Sequence, residues 1–265
     1  MVSNQGQDEL LFSVDGALAF ITFNRPHARN ALTWNMYDRL LECCERVDGT
    51  DEIRAVILTG AGDQAFVAGT DIAQFQAFRT PQDAVSYEQR IERVADRLER
   101  IRKPAIAMIR GYCVGGGLSL ALACDFRYAS PDLKMGVPIA RTLGNCLSMN
   151  NYARVLDLVG PARTKELIML ARMLDADEAR QLGLVNEIVP AARLQGRVAE
   201  VAQTLTELAP LTLRATKEAV RRIQARRRLE PGEGEDLIVS CYMSEDFRSA
   251  VAAFLEKRAP AWRGR

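Results

Sequence analysis

The chain has 265 residues, 48% apolar and 26% charged, enough to bury a large core in one or two domains and no composition for disorder. Lysine and arginine total 35 against 34 acidic residues, a net charge of +1, without the basic excess that a nucleic-acid binder concentrates. No apolar run reaches the ~18 residues of a membrane span. The opening MVSNQGQDEL lacks the charged start and apolar stretch of a signal peptide, so the expected compartment is the cytoplasm.

In chain order, 17–23 (ALAFITF) is apolar and β-prone, and Asn24-Arg25-Pro26 stops it. Leu32, Met36, Leu40, Cys43 and Val47 recur at helical spacing up to Gly49. Residues 54–58 (RAVIL) form a buried strand closed by Thr59-Gly60-Ala61-Gly62, and a polar helix spans 81–102 before Pro104. A third strand covers 105–109, a buried helix follows the triple glycine over 118–123, and a fourth strand covers 126–129. Strands separated by helices predict an α/β fold with largely parallel pairing.

From Arg163 onward the pattern turns helical, over 163–173, 176–182, 191–208, 213–228 and 247–257, with a short strand at 185–189. Asp175 with Glu178 fits a capping box, and Gly183 fits the helix stop. The expected division is an α/β core over 1–194 and a helical region over 195–265.

His27 is the single histidine, so any nucleophile–histidine pair must use it and a His-rich metal site is impossible. The six cysteines show no C-x-x-C spacing and are expected to be reduced core thiols, which leaves no metal site. Two glycine turns follow buried strands: 65–72 (AFVAGTDI) and 111–118 (GYCVGGGL). Backbone N–H groups in such turns can be left free for an anion, and the second also opens a helix with its positive dipole end. The plainer alternative is that glycine merely permits tight strand-to-helix packing.

Asn24-Arg25-Pro26 with Asn30-Ala31-Leu32, then 65–71, then 111–117 with Ala121-Leu122-Ala123-Cys124-Asp125, and last Ser244-Glu245-Asp246-Phe247 with 254–258, resemble the crotonase (enoyl-CoA hydratase/isomerase) family. The resemblance covers about residues 10 to 265, with the motifs in the family's order. It implies a crotonase-type spiral of ββα units, a helical C-terminal region making subunit contacts in homotrimers or hexamers, and acyl-coenzyme A thioesters as substrates. Coenzyme A would enter as part of the substrate, with no prosthetic group, nicotinamide or metal.

The family's two oxyanion donors map to the backbone amides of Thr70 and Gly116, which leaves the Thr70 side chain dispensable. Coenzyme contacts map to His27, Arg29, Ala68, Asp71 and Ile72, with Arg29 and Lys257 as cations for the phosphates; solvated surface charge is the alternative for these two. In relatives an aspartate at the position of Asp71 is mainly structural.

The sequence departs from the hydratase pattern at both glutamates that work on the water. Ser119 stands at the first position, and Ile139 or Ala140 at the second. Ser119 either holds a water or bonds back to a helix carbonyl. The polar segment 144–151 (GNCLSMNN) offers Asn145, Ser148 and Asn150 to a polar acyl group, and Arg141 to an acyl carboxylate. Cys146 is expected as a core filler. Tyr87, Glu88 and Glu92 are expected on a solvated helix face, with the pocket wall as alternative. The run Arg221, Arg222, Arg226, Arg227 and Arg228 is expected on a solvent or subunit face, balanced by Glu230, Glu233 and Glu235. The implied function is an acyl-CoA enzyme that stabilises a thioester enolate. A decarboxylase, a thioester hydrolase and a non-catalytic acyl-CoA binder are its rivals.

Overall fold

The computed structural model describes residues 9–230 and 232–265. Most of the opening segment behind the compartment expectation therefore lies outside the described residues. β1 (Leu10–Asp15) and β2 (Leu18–Phe23) form an antiparallel hairpin whose two-residue turn begins at Gly16, φ +55°. α1 (Trp34–Gly49) starts at Thr33, whose hydroxyl accepts from the Met36 amide, and buries Met36, Tyr37, Leu40, Cys43, Cys44 and Val47.

Three repeats follow, each giving one strand to each of two sheets. β3 (Ala55–Gly60) and β4 (Ala65–Val67) lead through a 3-10 segment (Ile72–Ala77) to α2 (Pro81–Glu99). β5 (Ala105–Ile109) and β6 (Tyr112–Val114) lead to α3 (Gly116–Ala123), and β7 (Phe126–Ala129) and β8 (Lys134–Gly136) lead to α4 (Ile139–Thr142). α5 (Met149–Met169), β9 (Met173–Leu174), α6 (Ala176–Gln181) and β10 (Glu187–Ile188) close the core. α7 (Ala191–Glu207), α8 (Pro210–Ala225), α9 (Glu235–Tyr242) and α10 (Glu245–Leu255) complete the chain.

The larger sheet has the order β1-β2-β3-β5-β7-β10, parallel beyond the hairpin; the smaller is β4-β6-β8-β9, with β9 antiparallel. Alternation along β3 splits two cores: Val56 and Leu58 face the main core, while Ile57 faces Leu194, Val198, Ala202 and Leu205 of α7. Among the described residues no helix is long and apolar enough to cross a membrane.

The expected strands 105–109 and 126–129 and the capping box of α6 are present as read. The four strands of the smaller sheet and α4 are too short to carry a readable pattern, and the structure adds them, with β1 and α9, to the elements expected. The helix expected at 163–173 is the second half of α5, which kinks at Gly160-Pro161; α5 begins inside the polar segment 144–151, and Met173 belongs to a strand. The basic run pairs with other acids than Glu230, Glu233 and Glu235. Arg221 and Arg222 hold Glu218, Arg228 holds Glu99, and Arg227 lies 3.7 Å from Asp157.

Asn30 joins the loop after β2 to the β3–β4 connection. Its side chain donates to the carbonyls of Ala61 (3.0 Å) and Ala65 (2.8 Å) and accepts from the Arg25 amide (2.9 Å), at full burial and φ +57°. This bracket fixes the entry into β4, the strand that leads to Thr70.

Candidate active site

The turns after β4 and β6 lie against each other. A Cβ on Gly117 would sit 2.2 Å from the Val67 carbonyl oxygen, so only glycine lets α3 begin this close to β4. Gly115 takes φ +54°, its amide donates to the Gly136 carbonyl (3.0 Å), and it passes beside Gly69. Across the junction, a Cβ on Gly116 would meet the Tyr37 hydroxyl at 2.9 Å and Thr70 Oγ1 at 3.5 Å.

The chain is pinned on both sides of Thr70: the Leu32 amide donates to the Gly69 carbonyl (2.8 Å), and the Asp71 amide donates to the Leu32 carbonyl (2.9 Å). Among the described residues the amides of Thr70 and Gly116 donate no backbone hydrogen bond. For Gly116 the reason is its place as the first residue of α3, where amides have no intrahelical acceptor and the helix dipole is positive.

The Thr70 side chain, expected to be dispensable, joins two buried phenols. Its hydroxyl lies 2.8 Å from the Tyr37 hydroxyl and 2.9 Å from that of Tyr87. Burial raises both phenols above their ordinary range, so they stay protonated and need partners. Thr70→Ala should therefore cost about 1–3 kcal/mol of stability in urea unfolding, while Thr70→Ser stays close to wild type. An alanine variant as stable as wild type would remove this assignment.

The coenzyme candidates form two neighbouring groups. His27 and Arg29 are exposed on the loop after β2, where the Arg29 guanidinium stands over the Tyr112 ring at 5.0 Å. The Ala68 amide donates to the Arg29 carbonyl (3.1 Å), which brings Ala68, Asp71 and Ile72 beside that loop. The Asp71 carboxylate is already engaged: Arg25 pairs with it at 3.0 Å, and it caps the 3-10 segment by accepting from the Ala73 amide. Arg25 also pairs with Glu9 and donates to the Ala31 carbonyl. The motif Asn24-Arg25-Pro26 contained this residue, but nothing local shows its partners. Arg141 and Lys257 are exposed, and among the described residues no hydrogen bond or ion pair joins them to the other candidates.

At the two positions where the resemblance expects glutamates, Ser119 is buried with Oγ 3.5 Å from the Gly115 carbonyl, the back-bonding arrangement. Ile139 is buried and Ala140 exposed, so of these two the apolar side chain faces inward.

Tyr87 and Glu88 do not lie on a solvated face: both are buried, and Glu92 is half-buried. α2 turns its Tyr87–Glu88 side inward because Tyr87 packs in a ring cluster with Trp34, Phe75, Phe78 and Tyr242. Glu88 accepts from the Ser148 amide at 2.9 Å and from the Tyr242 hydroxyl at 2.5 Å. Burial pushes its carboxyl up to about 7 against the lowering effect of these two donors. Tyr242 in turn accepts from Asn145 Nδ2 at 2.8 Å, and Glu92 accepts from Asn150.

Asn145, Ser148 and Glu88 thus share one hydrogen-bonded cluster, which sequence reasoning split between a loop and a solvated helix. Trp262 packs over Gly144 (φ +72°) at the start of this loop. All six cysteines are free thiols, and five are buried. Cys146 is raised by its hydrogen bond with Cys241 and by burial, which makes it a poor nucleophile.

The family model for enoyl-CoA hydratase/isomerase matches residues 13–265. The short-chain-enoyl-CoA hydratase of Clostridium acetobutylicum is 33% identical, over 95% of this chain and 96% of that one. An enoyl-CoA hydratase/carnithine racemase from Magnetospirillum magneticum superposes with a TM-score of 0.79 at 33% identity, covering 97% and 96% of the two chains. A methylmalonyl-CoA decarboxylase, solved with 2-nitronate-propionyl-CoA, superposes with a TM-score of 0.88 at 26% identity, covering 97% and 99%. With a two-sheet spiral, a helical C-terminal region and a match over nearly its whole length, this chain has the crotonase fold and belongs to the enoyl-CoA hydratase/isomerase family.

Proposed function

We propose that this protein is an acyl-CoA enzyme that stabilises a thioester enolate, with the amides of Thr70 and Gly116 donating to the thioester oxygen. The observation that carries the reading is the meeting of the two turns, which leaves these two amides without a backbone acceptor among the described residues. Donors held in place before reaction stabilise developing charge without reorganising, an effect often worth several kcal/mol. His27, Arg29, Ala68 and Ile72 would contact the coenzyme, together with the backbone of Asp71, since Arg25 occupies its carboxylate. Arg141 and Lys257 would act as mobile cations toward an acyl carboxylate and the coenzyme phosphates. Coenzyme A belongs to the substrate in this reading, and no prosthetic group takes part. Assembly as a homotrimer or hexamer through 195–265 is supported by α8, which buries none of its residues and exposes Leu211, Val220 and Ile223.

Decarboxylation is the second reading. The decarboxylase superposes better than the hydratase/racemase despite its lower identity. Losing carbon dioxide from an α-carboxyl thioester breaks the Cα–carboxyl bond and sends its electron pair to the thioester oxygen. No general base is required, and a proton then returns to the α-carbon. That sequence tolerates Ser119 and Ile139 where hydration would not. Calorimetry with a non-hydrolysable acyl-CoA should show binding, and no heat across a varied panel would refute the reading. Mass spectrometry of products then separates gain of water, loss of carbon dioxide and release of free coenzyme A.

A further inference from the structure

Glu88 and Asn145 are linked through a single phenol, and the direction of the hydrogen bonds between them is set from the Glu88 end. The Ser148 amide can only donate, and it occupies Oε2 of Glu88. Tyr242 donates to Oε1 and accepts from Asn145 Nδ2. A phenol has one proton; once that proton is given to Glu88, Asn145 has to present its NH2 group to the phenol oxygen. Nδ2 also makes a long contact of 3.4 Å to the Cys146 carbonyl. The other end of the carboxamide, Oδ1, is buried and has no hydrogen-bond partner. An unpaired buried acceptor is costly in a resting protein and useful if a ligand supplies the donor.

We propose that Glu88, acting through Tyr242, determines which end of the Asn145 carboxamide is offered to the acyl group, so that the ionised site selects an acyl-CoA whose chain carries a hydrogen-bond donor such as a hydroxyl. The inference rests on the acyl-CoA reading above. Protonation reverses the chain. With Oε2 still held by Ser148, the proton on Oε1 is donated to the Tyr242 oxygen, and the phenol then donates to Asn145. The carboxamide must turn to accept with Oδ1, which leaves Nδ2 as the free end, a donor suited to a carbonyl or ether oxygen.

Glu88 is a positioning residue in this scheme, and its exchange falls near neutral pH, where burial has raised its carboxyl to about 7. Glu92 on the same helix adds to that rise, and Glu230, Glu233 and Glu235 line the same cavity of about 260 Å³, which no lysine or arginine lines among the described residues. Tyr37 from α1, Tyr87 from α2, Tyr242 from α9, Tyr152 from α5 and Cys146 from the segment behind α4 also interact with it, all raised and neutral at that pH.

The test follows the Asn145 side-chain amide by NMR in protein with isotopically labelled asparagine, without ligand. In wild type the signal should titrate with a midpoint of about 7. In Glu88→Gln the amide oxygen takes the Ser148 N–H and the new NH2 donates to Tyr242, which holds the reversed chain at every pH. The signal should therefore be flat in Glu88→Gln, and flat in Tyr242→Phe, once circular dichroism shows both variants folded. A flat wild-type signal, or a wild-type titration surviving in Tyr242→Phe, overturns the proposal.

The second arm measures binding of 3-hydroxybutyryl-CoA against 3-methoxybutyryl-CoA. Wild type should prefer the hydroxyl about tenfold at about pH 8 and lose that preference near pH 6, while Glu88→Gln favours the methoxy ligand throughout. Equal preference at both pH values in wild type overturns the substrate assignment. Failure of both thioesters to bind overturns that assignment, while the acyl-CoA reading falls only if the varied panel fails as well; a titrating Asn145 signal upholds the Glu88–Tyr242–Asn145 coupling on its own.

Discussion

Gly116→Pro is expected to lower turnover of any accepted acyl-CoA by roughly 10²–10³-fold, the cost of removing one preorganised oxyanion donor. Proline suits the first position of a helix, where its missing N–H breaks no intrahelical bond, so α3 itself tolerates the change. The ring also brings a Cβ, which would meet the Tyr37 hydroxyl at 2.9 Å and Leu32 Cδ1 at 3.4 Å. Gly116→Ala is the control, because it adds the same Cβ and keeps the N–H. The expected result is a large loss in the proline variant and a much smaller one in the alanine variant, with KM for the thioester changing less than kcat. Equal losses in the two variants would place the effect on the displaced Tyr37 and refute the donor assignment.

Crotonyl-CoA hydration should be slower than in a two-glutamate relative by about 10²–10⁴ for each missing general acid–base group. Ser119 and Ile139 offer no carboxylate, and the neighbouring carboxylates have other partners. Asp71 is paired with Arg25, Glu92 accepts from Asn150, and Glu88 is held by Ser148 and Tyr242. To activate a water, Glu88 would need it at a lone pair left beside these two donors, inside the core. Loss of the enoyl thioester absorbance measures the rate directly. Hydration as fast as in a two-glutamate relative would refute the argument. Slow hydration beside rapid turnover of an α-carboxyl thioester would favour decarboxylation.

The α/β class, the two glycine turns and the family were legible in the chain because each is written in contiguous residues. Strands at 105–109 and 126–129 are short apolar runs between breakers, and the box at Asp175 and Glu178 needs only its own three-residue spacing. The motifs around Thr70 and Gly116 are likewise local, since a backbone donor depends on turn geometry more than on distant side chains. Glu88 lies at the other extreme. Helical spacing with Ala84, Ile91, Ala95 and Leu98 places it on the apolar face, but an acidic side chain there reads as solvent-facing because nothing local names its partners.

Tertiary structure decided that point, because the partners of Glu88 come from far along the chain. Ser148 is 60 residues away and Tyr242 is 154 away, on a short helix with too weak a pattern to be read. The same holds for Arg25 with Asp71, 46 residues apart, and for the Thr70 hydroxyl between two phenols. The sequence alone determined which glycine turns exist, and that Ser119 and Ile139 or Ala140 stand where the resemblance expects glutamates. Which polar side chains are buried, and in which direction their hydrogen bonds run, depended on the packing of α2, α9 and the segment behind α4. A buried polar group is tolerated only with a partner, and its partner exists only once those elements have met.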